Sequence, residues 1–112
     1  MNTRIRAVLV AGFIAASCAA LPHPGPADAQ RAQAKFPGTT VDSLEAGRTA
    51  YVRRCSGCHN LRLPESQASD NWPRIIDEMG QKAHLVPGEK ELITAFLVTV
   101  SLRSSGRQER LH

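Results

Sequence analysis

The sequence predicts a small all-α domain of about three helices. The chain has 112 residues, which is enough for one small domain. Three of its segments carry apolar residues at helical spacing, and no segment shows the alternation of apolar and polar residues that is typical of a strand. The sequence also contains no internal repeat. These observations together favour a single helical domain, which we place at residues 42–102.

The first predicted helix runs from about Ser43 to Arg54. Asp42 and Glu45 stand three residues apart before an apolar-periodic run, a spacing typical of a capping box. The predicted helix ends directly before Cys55.

The second predicted helix begins near residue 72. Asp70 or Asn71 can cap it, and Pro73 falls in its first turn, where a missing N–H costs nothing. Its apolar residues recur at the spacing of one helix face: Trp72, Ile75, Ile76 and Met79. Gly80 follows directly and predicts the end of the helix.

The third predicted helix runs from about Glu89 to Leu102. Glu89 and Glu91 lie in its first turn, where negative charge suits the helix dipole. One apolar face contains Leu92, Ile93, Phe96, Leu97 and Val100. Residues 103–112 are aperiodic, so we expect a disordered tail there.

The N-terminal residues predict export. Arg4 and Arg6 precede an apolar run, residues 7–20, that is shorter than the roughly 20 residues needed to span a bilayer, which is typical of a secretory signal peptide. An Ala-x-Ala cleavage site ending at Ala29 makes residues 1–29 the signal peptide and residues 30–41 a flexible leader. The protein would then be periplasmic.

A lipidated N-terminus is the alternative. Residues 15–18 form a lipobox in which Cys18 would carry the lipid, although Ala15 stands where leucine is usual. We expect contact with a membrane face only if Cys18 is lipidated.

The central motif is Cys55-Ser56-Gly57-Cys58-His59, the attachment signal for c-type haem. Each thiol adds across one vinyl group of the porphyrin, and the two-residue spacer lets both sulfurs reach one macrocycle. His59 then supplies the proximal nitrogen ligand of the iron. The motif therefore predicts one covalent haem c bound through Cys55, Cys58 and His59.

Two other uses of a Cys-x-x-Cys pair are less well supported. A thioredoxin-like redox motif expects a βαβ setting, which the sequence does not show. A zinc site usually needs four ligands, and only Cys18 and His84 are available to add to the motif. Haem also suits a domain of this size, because so small a chain buries too little of its own surface to be stable alone.

The spacing of residues around the motif resembles class I monohaem cytochromes c. The pattern is Gly47-x-x-x-Tyr51-x-x-x-Cys55, followed by a terminal helix with Leu92 and Phe96. The resemblance implies that the first and last helices cross at Gly47 and Phe96. A narrower similarity, to short bacterial cytochromes and dehydrogenase haem domains with a W-x6-M segment, covers residues 43–102.

The sixth iron ligand has three candidates. Met79 is the first, and its thioether would raise the reduction potential; it lies nearer to the motif than the ligand methionine of many class I cytochromes. His84, in the turn that follows, is the second, and an open position is the third. We also expect the Trp72 indole to pack on the haem edge with its N–H on a propionate. The Pro64 carbonyl would accept the His59 Nδ1–H.

The function implied is single-electron transfer by an exported cytochrome, with two alternatives. The protein could be a dedicated cytochrome subunit of a periplasmic dehydrogenase, or a gas-binding haem protein with an open iron position. Six basic residues would form a positive rim that docks an acidic redox partner: Arg48, Arg53, Arg54, Arg62, Arg74 and Lys82. We see no catalytic constellation that would make it an enzyme and no pattern for nucleic-acid binding.

Overall fold

The computed structural model describes residues 21–55 and 61–110, without the side chains of residues 106–110. Four helices follow one another along the chain: α1 (Pro26–Ala32), α2 (Val41–Cys55), α3 (Trp72–Ala83) and α4 (Glu89–Arg110). Two 3₁₀ turns, Pro64–Ser66 and Ser69–Asn71, connect α2 to α3. The described part contains no strand. The all-α prediction is confirmed, with one helix more than the three predicted.

The start of α2 lies at Val41, before the predicted position, and Thr40 caps it instead of Asp42. The Thr40 N–H donates to Ser43 Oγ at 2.9 Å, and the Ser43 N–H donates to Thr40 Oγ1 at 3.1 Å. This is the reciprocal pairing of a capping box, with serine in the place usually taken by glutamate. The predicted partner, Glu45, instead contacts His23 at 3.0 Å.

The end of α3 lies at Ala83, three residues beyond the predicted end at Gly80. His84 adopts the left-handed conformation with φ of 52°, and the Leu85 N–H donates to the Gly80 carbonyl at 3.4 Å. This is the helix ending that glycine usually provides. Gly80 serves packing, because a Cβ there would lie 3.1 Å from Leu85 Cδ1.

The last helix, α4, starts at Glu89 as predicted but continues past Leu102 to Arg110. The prediction of a disordered tail from residue 103 is therefore wrong for residues 103–110. Arg103 gives one reason, because its guanidinium donates to the buried Asp28 carboxylate. Residues 103–110 also contain no proline that would end the helix earlier.

The first helix, α1, was not predicted, and the predicted boundary at Ala29 falls inside it. Gly25 precedes α1 and Pro26 occupies its first turn. Leu21, only 7% exposed, belongs to the same hydrophobic core as Phe96 and Trp72. Residues 21–32 are therefore part of the folded domain.

The core is centred on the crossing of α2 and α4. A Cβ on Gly47 would lie 2.7 Å from the Leu92 carbonyl carbon and 3.0 Å from Phe96 Cβ, so only glycine allows the two backbones to approach this closely. The predicted approach of these helices at Gly47 and Phe96 is present. Five side chains of the core have no exposed surface: Leu44, Trp72, Ile93, Phe96 and Leu97. Among the described residues, no helix combines the length and apolar character needed to cross a membrane.

Candidate haem-binding site

The haem-attachment motif begins at the last residue of α2. Cys55 ends this helix, is partly exposed and packs against the hydrophobic core. Cys58 and His59 lie outside the described residues, as does Cys18. The crossing of α2 and α4 therefore fixes the position of the first thiol of the motif.

Two buried aromatic side chains fix the backbone just after the motif. Tyr51 Oη donates to the Arg62 carbonyl at 2.8 Å, and Trp72 Nε1 donates to the Pro64 carbonyl at 3.0 Å. The two rings meet edge to face, with centroids 6.5 Å apart. The chain leaving the motif is thus held at two carbonyls by side chains from α2 and α3.

This contact gives the Trp72 N–H a partner other than the propionate that we expected. Its ring is fully buried, and its N–H is bonded to the Pro64 carbonyl instead of extending toward a propionate. The carbonyl that we expected to accept the His59 Nδ1–H is therefore already an acceptor for Trp72. A carbonyl oxygen has a second lone pair, so both bonds remain compatible.

Tyr51 stays protonated throughout the physiological range. Burial raises the pKa of Tyr51 to about 12, and the electrostatic effect of nearby Cys55 adds to the shift. The phenol is therefore a permanent donor to Arg62.

An ion pair fixes the residue before the motif. Arg54 Nε and Nη2 donate to the two Glu89 carboxylate oxygens at 2.8 and 2.9 Å. The hydrogen bond from Arg54 is the main cause that lowers the pKa of Glu89. Because Glu89 is the first residue of α4, this two-point contact joins the end of α2 to the start of α4.

Several apolar side chains in the elements that flank the motif are partly exposed. Six partly exposed side chains pack against the core near the ends of α2 and α3 and in the segment after the motif: Val52, Cys55, Leu61, Leu63, Met79 and Leu85. An apolar macrocycle would remove side chains of this kind from water. Apolar side chains of this kind are chemically suited to contact with a haem group.

The two candidate axial side chains differ in their surroundings. Met79 lies on the same face of α3 as the buried Trp72 and Ile76, and it packs against the core while remaining partly exposed. His84 is exposed and follows the end of α3. In the described ranges, no three or more His, Cys, Asp or Glu side chains gather into a metal site.

The basic residues of the predicted docking rim divide into two groups. Four have acidic neighbours within the chain, through the pairs Arg48–Glu45, Arg53–Glu89, Arg54–Glu89 and Arg74–Glu78. Arg62 and Lys82 are exposed, and the described part of the chain gives neither of them an ion pair. Any positive docking surface is therefore carried mainly by these two residues, together with Arg53, which is 65% exposed and 3.9 Å from Glu89.

We expect Trp72→Phe to destabilise the protein by about 2 kcal/mol. The change removes the only described donor to the buried Pro64 carbonyl and leaves space where the indole was. Tyr51→Phe is the matched control, because it keeps the ring and loses one hydrogen bond, at a cost of about 1 kcal/mol. Urea unfolding followed by circular dichroism measures both, and an unchanged midpoint for Trp72→Phe would contradict the structural role of its N–H.

Comparison with protein-family models, with curated proteins and with solved structures gives no match. We therefore base a functional assignment on the motif and on the contacts around it.

Proposed function

We propose that the chain is an exported electron-transfer protein that binds one haem c. Cys55 and Cys58 form the thioethers, His59 is the proximal ligand and Met79 is the sixth ligand. When bound, the haem iron accepts one electron to become ferrous and releases it to become ferric. The protein is not an enzyme in this proposal, and it works in the periplasm with a redox partner.

The observation that carries the proposal is the way the motif is held. Arg54, directly before it, is tied to α4, and the Arg62 and Pro64 carbonyls, just after it, are tied to Tyr51 and Trp72. A site fixed on both sides keeps the ligands in place as the iron changes charge, which suits electron transfer. The partly exposed apolar side chains beside it supply a surface of low polarity.

Met79 is preferred over His84 because of its place on α3. Trp72, Ile75 and Ile76 share one face of this helix and are buried, and Met79 continues that face. Met79 is partly exposed and packs against the core. His84, by contrast, is exposed beyond the end of the helix.

The partner is a protein with an acidic docking surface. Arg53, Arg62 and Lys82 are exposed and lie in α2, after the motif and in α3. Charges of this kind steer a partner toward the protein at low ionic strength.

The test is the covalent attachment of haem to the exported chain. We expect protein expressed with a haem-attachment system to keep its haem through denaturation and acid extraction, as seen by haem staining on a denaturing gel. The double variant Cys55→Ser/Cys58→Ser should lose all bound haem, because both thioethers are gone. Ser56→Ala is the matched control, since it changes the spacer and keeps the two attachment cysteines and the histidine of the motif.

Three results would contradict the proposal in whole or in part. Haem that survives denaturation in the double variant would place the attachment elsewhere. A wild-type chain that binds zinc and no haem would show that the motif belongs to a zinc site. Rapid CO binding by the ferrous wild type would retain the haem but replace electron transfer with gas binding.

A further inference from the structure

The segment Leu21–Ala32 packs across α2 and α4, and we call it the N-terminal brace. We propose that the brace is retained in the mature protein, so that the mature N-terminus is formed at or before Leu21 and not after Ala29. This inference rests on the export that the proposed function includes. It concerns the processing site, which the sequence alone placed inside the brace.

The central contact of the brace is the Asp28 carboxylate. Asp28 is only 3% exposed and accepts hydrogen bonds from the Gly25 N–H at 2.8 Å, from Arg31 at 2.7 Å and from Arg103. Arg103 approaches it with two nitrogens, one of them 2.9 Å from Oδ1. A cut after Ala29 would remove this carboxylate and leave Arg103 of α4 without it.

The residues before Asp28 also contact both long helices. The Leu21 carbonyl accepts from Arg48 Nη2 of α2 at 3.0 Å, and the Leu21 side chain is in the core. Arg103 donates to the His23 carbonyl at 3.1 Å, and the His23 ring contacts Glu45 of α2 at 3.0 Å. A chain beginning at residue 30 would lose all of these contacts.

The helix α1 itself depends on the residues that such a cut would remove. Gly25 precedes it, Pro26 starts it, and the Asp28 side chain accepts from the Gly25 N–H. Only its last turn, from Gln30 to Ala32, would remain, and a helix this short does not persist without its first turn. Ala32 is buried in the present fold, so the loss would extend to the core side of α1.

Processing at the signal peptide precedes folding, so the contacts decide which product folds well. A product that starts at or before Leu21 retains the buried leucine, the Asp28–Arg103 pair and the start of α1. A product that starts at Gln30 retains none of them. In the mature protein that we propose, the Ala-x-Ala sequence at residues 27–29 is part of α1.

The N-terminal peptide of the exported protein tests this directly. We expect tryptic digestion and mass spectrometry to give an N-terminal peptide that starts at or before Leu21 and ends at Arg31. A start after Leu21, and above all at Gln30, would overturn the inference. A start at Cys18 carrying a lipid supports it, and an uncleaved chain that stays in the cytoplasm retains the brace while contradicting export.

A substitution at the predicted cleavage site gives an independent readout. Ala27 is exposed on α1, so Ala27→Gln should leave the fold intact while removing a small residue that cleavage after Ala29 requires. We expect the variant to have the same N-terminus and yield as the wild type. Accumulation of an uncleaved precursor would show that the site is used and would overturn the inference.

The contribution of the brace to stability gives the third readout. Asp28→Asn removes the charge that Arg31 and Arg103 contact, and we expect Tm to fall by several degrees. Asp70→Asn is the matched control, because Asp70 is 87% exposed and its one ion pair among the described residues is with Lys35, at 3.3 Å. Equal Tm values for the two variants would mean that the brace does not hold the fold and would overturn the inference.

Discussion

Replacing Gly47 with alanine is expected to lower the free energy of unfolding by about 3 kcal/mol, because no side chain fits where α2 crosses α4. The added Cβ would meet the Leu92 carbonyl and Phe96 Cβ. The first of these is backbone and cannot rotate away, so the helices must separate. Separation would open the core around Phe96, which has no exposed surface. For a domain of this size the loss corresponds to a fall in Tm of more than about 10 °C.

Gly80→Ala is the matched control for this change. Gly80 is also inside a helix, but its added Cβ would meet only the Leu85 side chain, at 3.1 Å from Cδ1. That side chain can move, and alanine favours the helix by about 1 kcal/mol over glycine. We expect Gly80→Ala to stay within about 1 kcal/mol of the wild type. Equal losses in the two variants, measured by thermal unfolding of the purified protein, would contradict the tight crossing at Gly47.

Replacing Met79 with leucine is expected to abolish a far-red charge-transfer band of the ferric protein. Ferric haem that is bound by a methionine sulfur shows this weak band. Leucine keeps the apolar shape on the buried face of α3 but has no sulfur to bind iron. The reduction potential should also fall, because a thioether ligand favours the ferrous state. Since axial ligands set haem potentials over a range of about 0.8 V, we expect a decrease of the order of 0.1 V. Absorption spectroscopy and a redox titration measure the two effects.

His84→Gly tests whether the histidine or Met79 is the sixth ligand, and it leaves the turn after α3 unchanged. His84 has a φ of 52°, a conformation that glycine adopts without strain, so the variant removes the imidazole and keeps the end of α3. We expect its band and potential to match those of the wild type, with stability equal or slightly higher. A band that persists in Met79→Leu, or a wild type without the band, would refute methionine ligation.

The core of the fold could be predicted from the sequence because its signals are local. The apolar face from Trp72 to Ile76 and the run around Phe96 recur at helical spacing, and both are buried as expected. The approach at Gly47 followed from the resemblance, since spacing alone does not identify which glycine lies at a crossing. The end of α3 was misplaced because Gly80 resembles a helix stop, whereas His84 performs that role.

The contacts that were missed join residues far apart in the chain. Asp28 and Arg103 are 75 positions apart, and nothing local in either segment indicates the pair. The proline-rich stretch before α1 resembles a linker, although Gly25 and Pro26 are also suitable for starting a helix. The same holds at the candidate site, where only the packing of α3 shows that Trp72 donates to Pro64.

The hydrogen bonds to the backbone after the motif leave the side chain at residue 62 free to vary. Tyr51 and Trp72 donate hydrogen bonds to main-chain oxygens, so these contacts do not depend on which side chain stands at residue 62. Arg62 itself is exposed. The charged side chain at residue 62 can therefore be replaced during evolution, or changed by design to suit a new partner. Neither change would alter the hydrogen bonds that hold this segment.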